Sequence, residues 1–453
     1  MSFARRFGAF AASLTPTDLP PEIDAEACRC LLDTIGVAVA GLSHPTVVAA
    51  RSFANSFLCS GDGGGQEGAG AAPARSAFLA GTAAHVWDYD DTSYAGIMHG
   101  SAVVLPAVLA VSSRLGRSDA EARCAFVAGV ETAYALGEAM TNATYVDGWW
   151  TTGLFGAVGA AAGAARTLRL DPAGCAVAIA HAALLAAGYR AVLGTAAKPL
   201  GCGHAARLGV EAAGLAAAGL DGRLDAIEHP RGFAAVRGCV LLDIAPPRIG
   251  RSPCATEWRL LSPGVARKLF PACSAVQAAG EALRDLMRAH ALAATDIVSI
   301  DCGAPRLVVE SLVFDKPQSV SQAQFSRQAA LTCIALFGDL SVHHLEAEAW
   351  CAPEAQNLMA RITLRPEPDA FDPDAALEGA TLRIMLRDGT CLARYNPVAT
   401  GMPARPMEER DLLAKFAACT LPALGDVRSR EVGARVLRGN GNSADLLRLL
   451  VGS

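Results

Sequence analysis

The segment WDYDDTSYAGIMHG (Trp87–Gly100) brings three carboxylates and an imidazole together in a chain in which only 18% of the residues are charged. Its acidic residues are Asp88, Asp90 and Asp91, and His99 follows them. Such groups can bind a metal, carry a phosphoryl group, protonate an alkene or transfer a proton beside a carboxylate. The alternative without a chemical role is that the aspartates form a solvated cluster that caps a helix.

Two of these chemistries need surroundings that the sequence does not offer. DYDDT matches the Asp-x-Asp-x-Thr of phosphatases, but their first aspartate follows a buried strand, and ARSAFLAGTAAHVW before it has the composition of a helix. DYDDT also matches the Asp-x-Asp-Asp-Thr of terpene cyclases, whose cavities need aromatic side chains to stabilise carbocations. Aromatic residues make up only 6% of this chain. Proton transfer at a carbon next to a carboxylate is therefore favoured, with His99 as acid or base because imidazole titrates near neutral pH.

Two lysines are candidate cations for the carboxylates of such a substrate. Lys198 lies in GTAAKPLGCGHAARLG immediately before a predicted helix, where backbone N–H groups favour an anion. Lys268 lies in ARKLFPACSAVQAAGEAL, close to Cys273. We expect both ammonium groups and His99 to converge on one cleft between two domains, with Asp88 orienting the imidazole.

The elements that must position these residues are mainly helices. From about residue 20 to residue 260, apolar residues recur at helical spacing, as in DAEACRCLLDTIGVAVAG, which ends on Gly41. The segments TTGLFGAVGAAAGAARTLRLD and AARLGVEAAGLAAAGLDG carry small residues every three or four positions, which lets helices approach closely. Helical spacing returns from Met407.

A strand-like pattern interrupts the helices in the second half of the chain. Apolar and polar residues alternate in DIVSIDC (Asp296–Cys302) and ARITLRP (Ala360–Pro366), as they do in strands. TLRIMLRDGTCLARYN predicts a hairpin around Asp388-Gly389. The sequence therefore predicts a mainly α protein with a smaller α+β domain. Residues 1–265 and 402–453 would form the helical domain, and residues 266–401 an inserted α+β lid.

Composition excludes several classes of partner. A net charge of −5 without a basic stripe argues against nucleic acids, and no apolar stretch reaches the 18 residues of a membrane span. The 14 cysteines form no CxxC pair, which predicts reduced thiols in a cytoplasmic protein without structural zinc. The glycine-rich stretch Cys59–Ser76 lacks the Gly-Lys-Ser/Thr of a phosphate-binding loop, so we expect no nucleotide there.

Several segments, taken in order, resemble the MmgE/PrpD family along nearly the whole chain. They are AAHVWDYDDT with the following histidine and VLPAVLA, GWWTTGLFGAVGAAAGAARTLRLD, KPLGCGHAARLGVEAAGLAAAGLDG, and KLFPACSAVQAAGEAL. The family includes 2-methylcitrate dehydratase, cis-aconitate decarboxylase and iminodisuccinate epimerase. The resemblance implies a homodimer without metal or cofactor, built from a helical domain and a smaller lid, that acts on a small di- or tricarboxylate.

The resemblance also implies an active site. By position it would use Asp88, Thr92 and His99, with Lys198 and Lys268 holding carboxylates. Cys273 stands where the decarboxylases have a catalytic histidine. A thiol can transfer protons if a nearby lysine lowers its pKa, and otherwise it is a small buried hydrophobe.

The chain departs from the family pattern at several positions where the family has histidine. Trp150 replaces the histidine of Gly-x-His, and Gly201 replaces that of Lys-x-x-His-x-Gly, with His204 beyond the expected position. Gln277 and Ala329 replace a later histidine and a tyrosine. We keep Trp150 and His204 as substrate-binding candidates. These losses predict an altered substrate or partner acid, or a catalytically silent member that only binds.

The leading reaction is dehydration of a hydroxy acid similar to 2-methylcitrate. Decarboxylation and epimerisation, on substrates similar to cis-aconitate or iminodisuccinate, are the alternatives. All three pass through a carbanion-like intermediate that cations stabilise.

Overall fold

The computed structural model describes residues 1–58, 72–249, 257–367, 370–371 and 377–452. Most of the glycine-rich stretch Cys59–Ser76 lies outside these residues. The described chain is mainly helical and contains a small mixed sheet, which confirms the predicted fold class.

The first part of the chain is a bundle of helices. They are α1 (Phe3–Ser13), α2 (Pro21–Gly41), α3 (Pro45–Phe57), α4 (Pro73–His85), α5 (Gly100–Leu115), α6 (Asp119–Met140), α7 (Ala143–Val146), α8 (Thr151–Leu168), α9 (Pro172–Leu185) and α10 (Ala197–Ala217). Helix α8 packs against α5, α6, α9 and α10 at the centre of the bundle. Small residues allow this approach: a Cβ on Gly156 of α8 would lie 2.9 Å from Val103 of α5.

The second part of the chain adds the sheet and shorter helices. Its elements are α11 (Gln277–Ala289), β3 (Ile297–Ala304), α12 (Arg306–Ser311), α13 (Val320–Ala323), α14 (Arg327–Phe337), α15 (Val342–Glu346), α16 (Pro353–Met359), β4 (Ile362–Pro366), β5 (Ala380–Leu386) and β6 (Cys391–Asn396). The strand order is β4-β3-β5-β6, with β3 and β4 parallel and the other pairs antiparallel. The predicted strands and hairpin are confirmed, and Gly389 in the turn has φ +86°.

The chain ends in three further helices, α17 (Glu409–Leu424), α18 (Asp426–Leu437) and α19 (Ser443–Val451). Helices α17 and α18 pack on α2, and α19 packs on α4 and α5. The C-terminal helices therefore lie against the helical bundle. The domain boundaries at residues 265/266 and 401/402 stay a prediction.

No single helix in the described ranges is long and apolar enough to cross a membrane. Helices α2 and α3 pass that test of length and composition only as a pair, and the pair is bent by 86°.

A two-stranded ladder joins the acidic segment to the segment that carries Lys268. Strand β1 (Thr92–Ser93) pairs antiparallel with β2 (Val265–Ala266), and Thr92 lies opposite Ala266. This pairing holds together two stretches that are more than 170 residues apart in sequence.

Candidate active site

The acidic segment is a turn between α4, which ends at His85, and α5, which begins after His99. Asp88 lies in this turn with φ +49°, a left-handed conformation that aspartate adopts more readily than most residues. Its N–H donates to the carbonyl of His85 at 3.1 Å. The turn buries the side chains of Asp88 and Asp90.

Asp88 lies between the two predicted lysines. Lys198 Nζ is 2.6 Å from Asp88 Oδ1, and Lys268 Nζ is 3.3 Å from Oδ2 and 2.6 Å from the Asp88 carbonyl oxygen. Burial would raise the pKa of Asp88, but Lys198 and Lys268 lower it well below its usual value. Burial would lower the pKa of Lys268, and Asp88 raises it above its usual value. The Asp88 carboxylate and the Lys268 ammonium are therefore both charged at neutral pH.

His99 is held through Nδ1. Nδ1 donates to the carbonyl oxygen of Asp91 at 2.9 Å and lies 3.2 Å from Asp90 Oδ2. Burial lowers the pKa of His99, and Asp90 opposes this effect. The imidazole is therefore neutral at neutral pH, and Nε2 is the unprotonated nitrogen. The expectation that Asp88 orients His99 is corrected: Asp88 Oδ1 is 3.9 Å from Nε2, on the opposite side of the ring.

His85 completes the cluster and was missed in the sequence. Its Nδ1 lies 2.8 Å from Asp90 Oδ2, and its Nε2 lies 2.6 Å from Lys198 Nζ. Burial lowers the pKa of His85 to about 4, so it is neutral. Asp90 therefore fixes both imidazoles by their Nδ1 atoms. The available signal was a histidine five residues before Asp90, at the end of a predicted helix.

A small cavity of about 30 Å³ lies against this cluster. The predicted site residues that line it are Asp88, Thr92, His99, Trp150, Lys198 and Cys273. The wall also contains polar residues that no sequence pattern indicated, which are Tyr94, Tyr145, Thr152, Ser274, Ser311 and Glu378.

Lys268 and His204, two of the predicted substrate contacts, are not among the residues that line this cavity. Lys268 is buried behind Asp88, so it acts on the cavity through that carboxylate. Lys198 lies in the first turn of α10, one residue after its start, and its ammonium bonds His85 and Asp88. His204 is exposed and lines a separate, neighbouring cavity of about 600 Å³, so the structure does not place it at the candidate active site.

The departures from the family pattern at positions 150 and 201 have one steric cause. The indole of Trp150 lies at the start of α8 and lines the cavity. A Cβ on Gly201 would lie 2.7 Å from this indole. The tryptophan at position 150 therefore leaves no space for an imidazole at position 201.

Gln277, another departure, holds the loop that carries Lys268 and Cys273. Its Oε1 accepts hydrogen bonds from the N–H groups of Leu269 at 2.8 Å and Phe270 at 3.0 Å. Gln277 is therefore a positioning residue for this loop rather than a proton donor.

Proton transfer by Cys273 would need a nearby lysine to lower the pKa of its thiol, and this condition is not met. Burial and the neighbouring Asp88 and Glu378 carboxyl groups raise the pKa of the Cys273 thiol to about 12, and Lys268 offsets only part of this. The thiol is protonated at neutral pH and is a poor nucleophile and base. The structure supports the alternative that Cys273 is a small apolar part of the wall.

We predict that Cys273→Ala retains turnover within about tenfold of the wild type, because the neutral thiol donates and accepts no proton in the reaction. Iodoacetamide at pH 8 should label the exposed Cys351 before it labels Cys273. A loss of more than about a hundredfold in turnover, with an unchanged melting temperature, would contradict this assignment.

The cluster also has the ligand types of a metal site. His85, Asp88, Asp90 and His99 each offer one atom, and these atoms lie within 4.8 Å of one another. However, Lys198 Nζ already lies 2.6 Å from both His85 and Asp88. A divalent cation would lie beside this ammonium, which is electrostatically unfavourable. Catalysis without a metal stays a prediction.

Comparison with known proteins gives matches along most of the chain. The family model of the MmgE/PrpD N-terminal domain matches residues 5–238, and that of the MmgE/PrpD C-terminal domain matches residues 270–438. Cis-aconitate decarboxylase of Homo sapiens is 28% identical over 402 residues, which is 86% of this chain and 82% of that protein. The enzyme of that name from Mus musculus is 27% identical over 431 residues (92% and 86%), and the one from Aspergillus terreus is 24% identical over 471 residues (94% and 91%).

Proposed function

The chain belongs to the MmgE/PrpD family, and on that premise we propose that it is a lyase acting on a small di- or tricarboxylate. In this proposal His99 Nε2 removes a proton from the carbon next to a substrate carboxylate. The substrate would be a hydroxy acid similar to 2-methylcitrate, and the reaction a dehydration. The family membership and the Asp/His/Lys cluster around one cavity support it.

The observation that supports dehydration is the protonation state of His99. Its Nδ1 proton is donated to the Asp91 carbonyl, and burial keeps the ring neutral, so Nε2 begins the reaction as a base. A dehydratase needs a base for its first step. A decarboxylase instead needs a proton donor to the carbon that has lost CO₂.

The paired charges can stabilise the carbanion-like intermediate. Lys198 lies on the cavity wall and Lys268 behind it, and both contact Asp88. The two ammonium groups balance the Asp88 and Asp90 carboxylates, and Lys198 is the cation that lies on the cavity wall. In a site that excludes water, such a fixed charge favours the negative charge that develops on the substrate.

Decarboxylation is the second candidate. The relatives named above are cis-aconitate decarboxylases, and their similarity extends over most of this chain. In that case His99 would first gain a proton on Nε2 and then transfer it to carbon. The replacement of the decarboxylase histidine by Cys273 speaks against this candidate.

A substrate panel separates these reactions. We expect the purified protein to convert 2-methylcitrate or citrate to an unsaturated acid 18 mass units lighter, and not to release CO₂ from cis-aconitate. Mass spectrometry of the acids and a CO₂ assay give the two readouts. Release of CO₂ without dehydration would indicate decarboxylation instead. Inversion of a stereocentre without any other change would indicate epimerisation. No conversion of any of these acids, nor of an iminodisuccinate analogue, would indicate a silent binding protein.

We further propose that the protein is a cytoplasmic homodimer with no nucleic-acid or membrane partner. Exposed apolar side chains on neighbouring segments support a dimer. Leu185 and Tyr189 are 59% exposed and Val236 is 65% exposed. Arg237, next to Val236, donates to the carbonyl of Ala186, which brings the two segments together.

A further inference from the structure

Glu378 lies on the cavity wall and comes from the segment before β5, in the second part of the chain. Both of its carboxyl oxygens lie next to hydroxyl groups: Tyr94 Oη is 2.5 Å from Oε2, and Ser274 Oγ is 2.7 Å from Oε1. Tyr94 belongs to the acidic turn, so this contact connects the two parts of the chain across the cavity. All three residues line the same small cavity as His99.

Dehydration needs an acid as well as a base, because hydroxide is a poor leaving group without a proton. His99 is the base and cannot supply this proton in the same step. Burial raises the pKa of Cys273 to about 12, and that of Tyr145 also to about 12, so both are weak donors. Lys198 directs two of its three ammonium protons at His85 and Asp88.

We propose that Glu378 is the catalytic acid that protonates the leaving hydroxyl group of a β-hydroxy polycarboxylate. This inference rests on the proposed dehydration. His99 Nε2 takes the proton from the carbon beside the carboxylate, and the C–H electron pair becomes the second bond of the alkene. The C–O bond breaks, its electron pair leaves with oxygen, and the Glu378 proton converts the leaving group to water. Solvent then returns a proton to Glu378 and removes one from His99.

The surroundings of Glu378 suit this role. Burial raises the pKa of its carboxyl group, and the hydrogen bonds with Tyr94 and Ser274 only partly offset this. The ammonium groups lie with Asp88, on the helical side of the cavity. The substrate carboxylates would therefore face Lys198, and the hydroxyl group would face Glu378.

The test compares two leaving groups in Glu378→Gln, which keeps the size of the side chain and removes the acidic proton. With 2-methylcitrate or citrate, we expect kcat to fall by about 10²–10⁴-fold, the usual contribution of a general acid. With the analogues in which chlorine replaces the hydroxyl group, kcat should stay within about tenfold, because chloride leaves without a proton. A purely structural role would lower both rates together.

Three results separate this inference from the proposed function. Unchanged dehydration of 2-methylcitrate and citrate by Glu378→Gln would overturn the role of Glu378 and leave the lyase intact. Equal losses with hydroxyl and chlorine substrates would overturn it as well. Absence of turnover by the wild-type protein on either hydroxy acid would overturn the proposed dehydration itself. The melting temperature of Glu378→Gln, compared with that of the wild type, serves as the folding control.

Discussion

Replacing His99 by alanine should lower kcat/KM for the accepted acid by about 10²–10⁴-fold and abolish enzyme-dependent deuterium uptake at the substrate carbon in D₂O. The reason is that His99 Nε2 is the neutral, unprotonated nitrogen next to the cavity, and its Nδ1 is already bonded to the Asp91 carbonyl. Loss of a positioned general base has this range of effect. Uptake is measured by mass spectrometry of the recovered acid.

His204→Ala is the matched control for this prediction. His204 is exposed and lines the separate cavity, so its removal should leave kcat/KM within about threefold. If both histidine variants lose the same activity, or if His99→Ala still incorporates deuterium, His99 is not the base.

The assignment of His99 as the base also determines how kcat/KM should change with pH. Burial lowers the pKa of His99 below its usual value of 6.5. A base acts only when it is unprotonated, so the acid limb of kcat/KM should be centred below pH 6.5. An acid limb centred above pH 6.5 would contradict a neutral His99 in the free enzyme.

Replacing Asp88 by asparagine should remove activity and also destabilise the protein by about 3–5 kcal/mol, the usual cost of leaving buried charges without their partner. Asp88 is buried and contacts both lysines, so the variant leaves two buried ammonium groups side by side. The free energy of unfolding in urea measures the effect.

Asp225→Asn is the control, because Asp225 pairs with Arg223 on the surface, where its side chain is 51% exposed. Its loss should cost less than about 1 kcal/mol. The pKa of Asp88 is lower in the folded protein than in the unfolded chain, so its contribution is complete above about pH 5 and is lost progressively as the pH falls from about 4 toward the folded-state pKa. The stability difference between wild type and Asp88→Asn should therefore shrink in acid. A stability difference that does not change with pH would indicate that the variant loses packing rather than a charge interaction.

The sequence by itself determined the local structure and much of the candidate site. Apolar spacing and turn residues predicted α2, the strands β3 to β6 and the hairpin at Asp388-Gly389, because these patterns depend on neighbours within a few residues. The rarity of charge in an apolar chain pointed to Asp88, His99, Lys198 and Lys268, and the structure brings these four together.

Only the tertiary structure decided what each of these groups can do. Lys268 reaches Asp88 from 180 residues away, and Glu378 reaches Tyr94 from 284 residues away, so no local pattern indicates either contact. Asp90, rather than Asp88, fixes the Nδ1 side of His99, because the turn directs these two carboxylates to different sides of one ring. Protonation states follow from burial, which depends on every element packed around a group: this is why Cys273 is a neutral thiol, whereas the residue type alone left its role open.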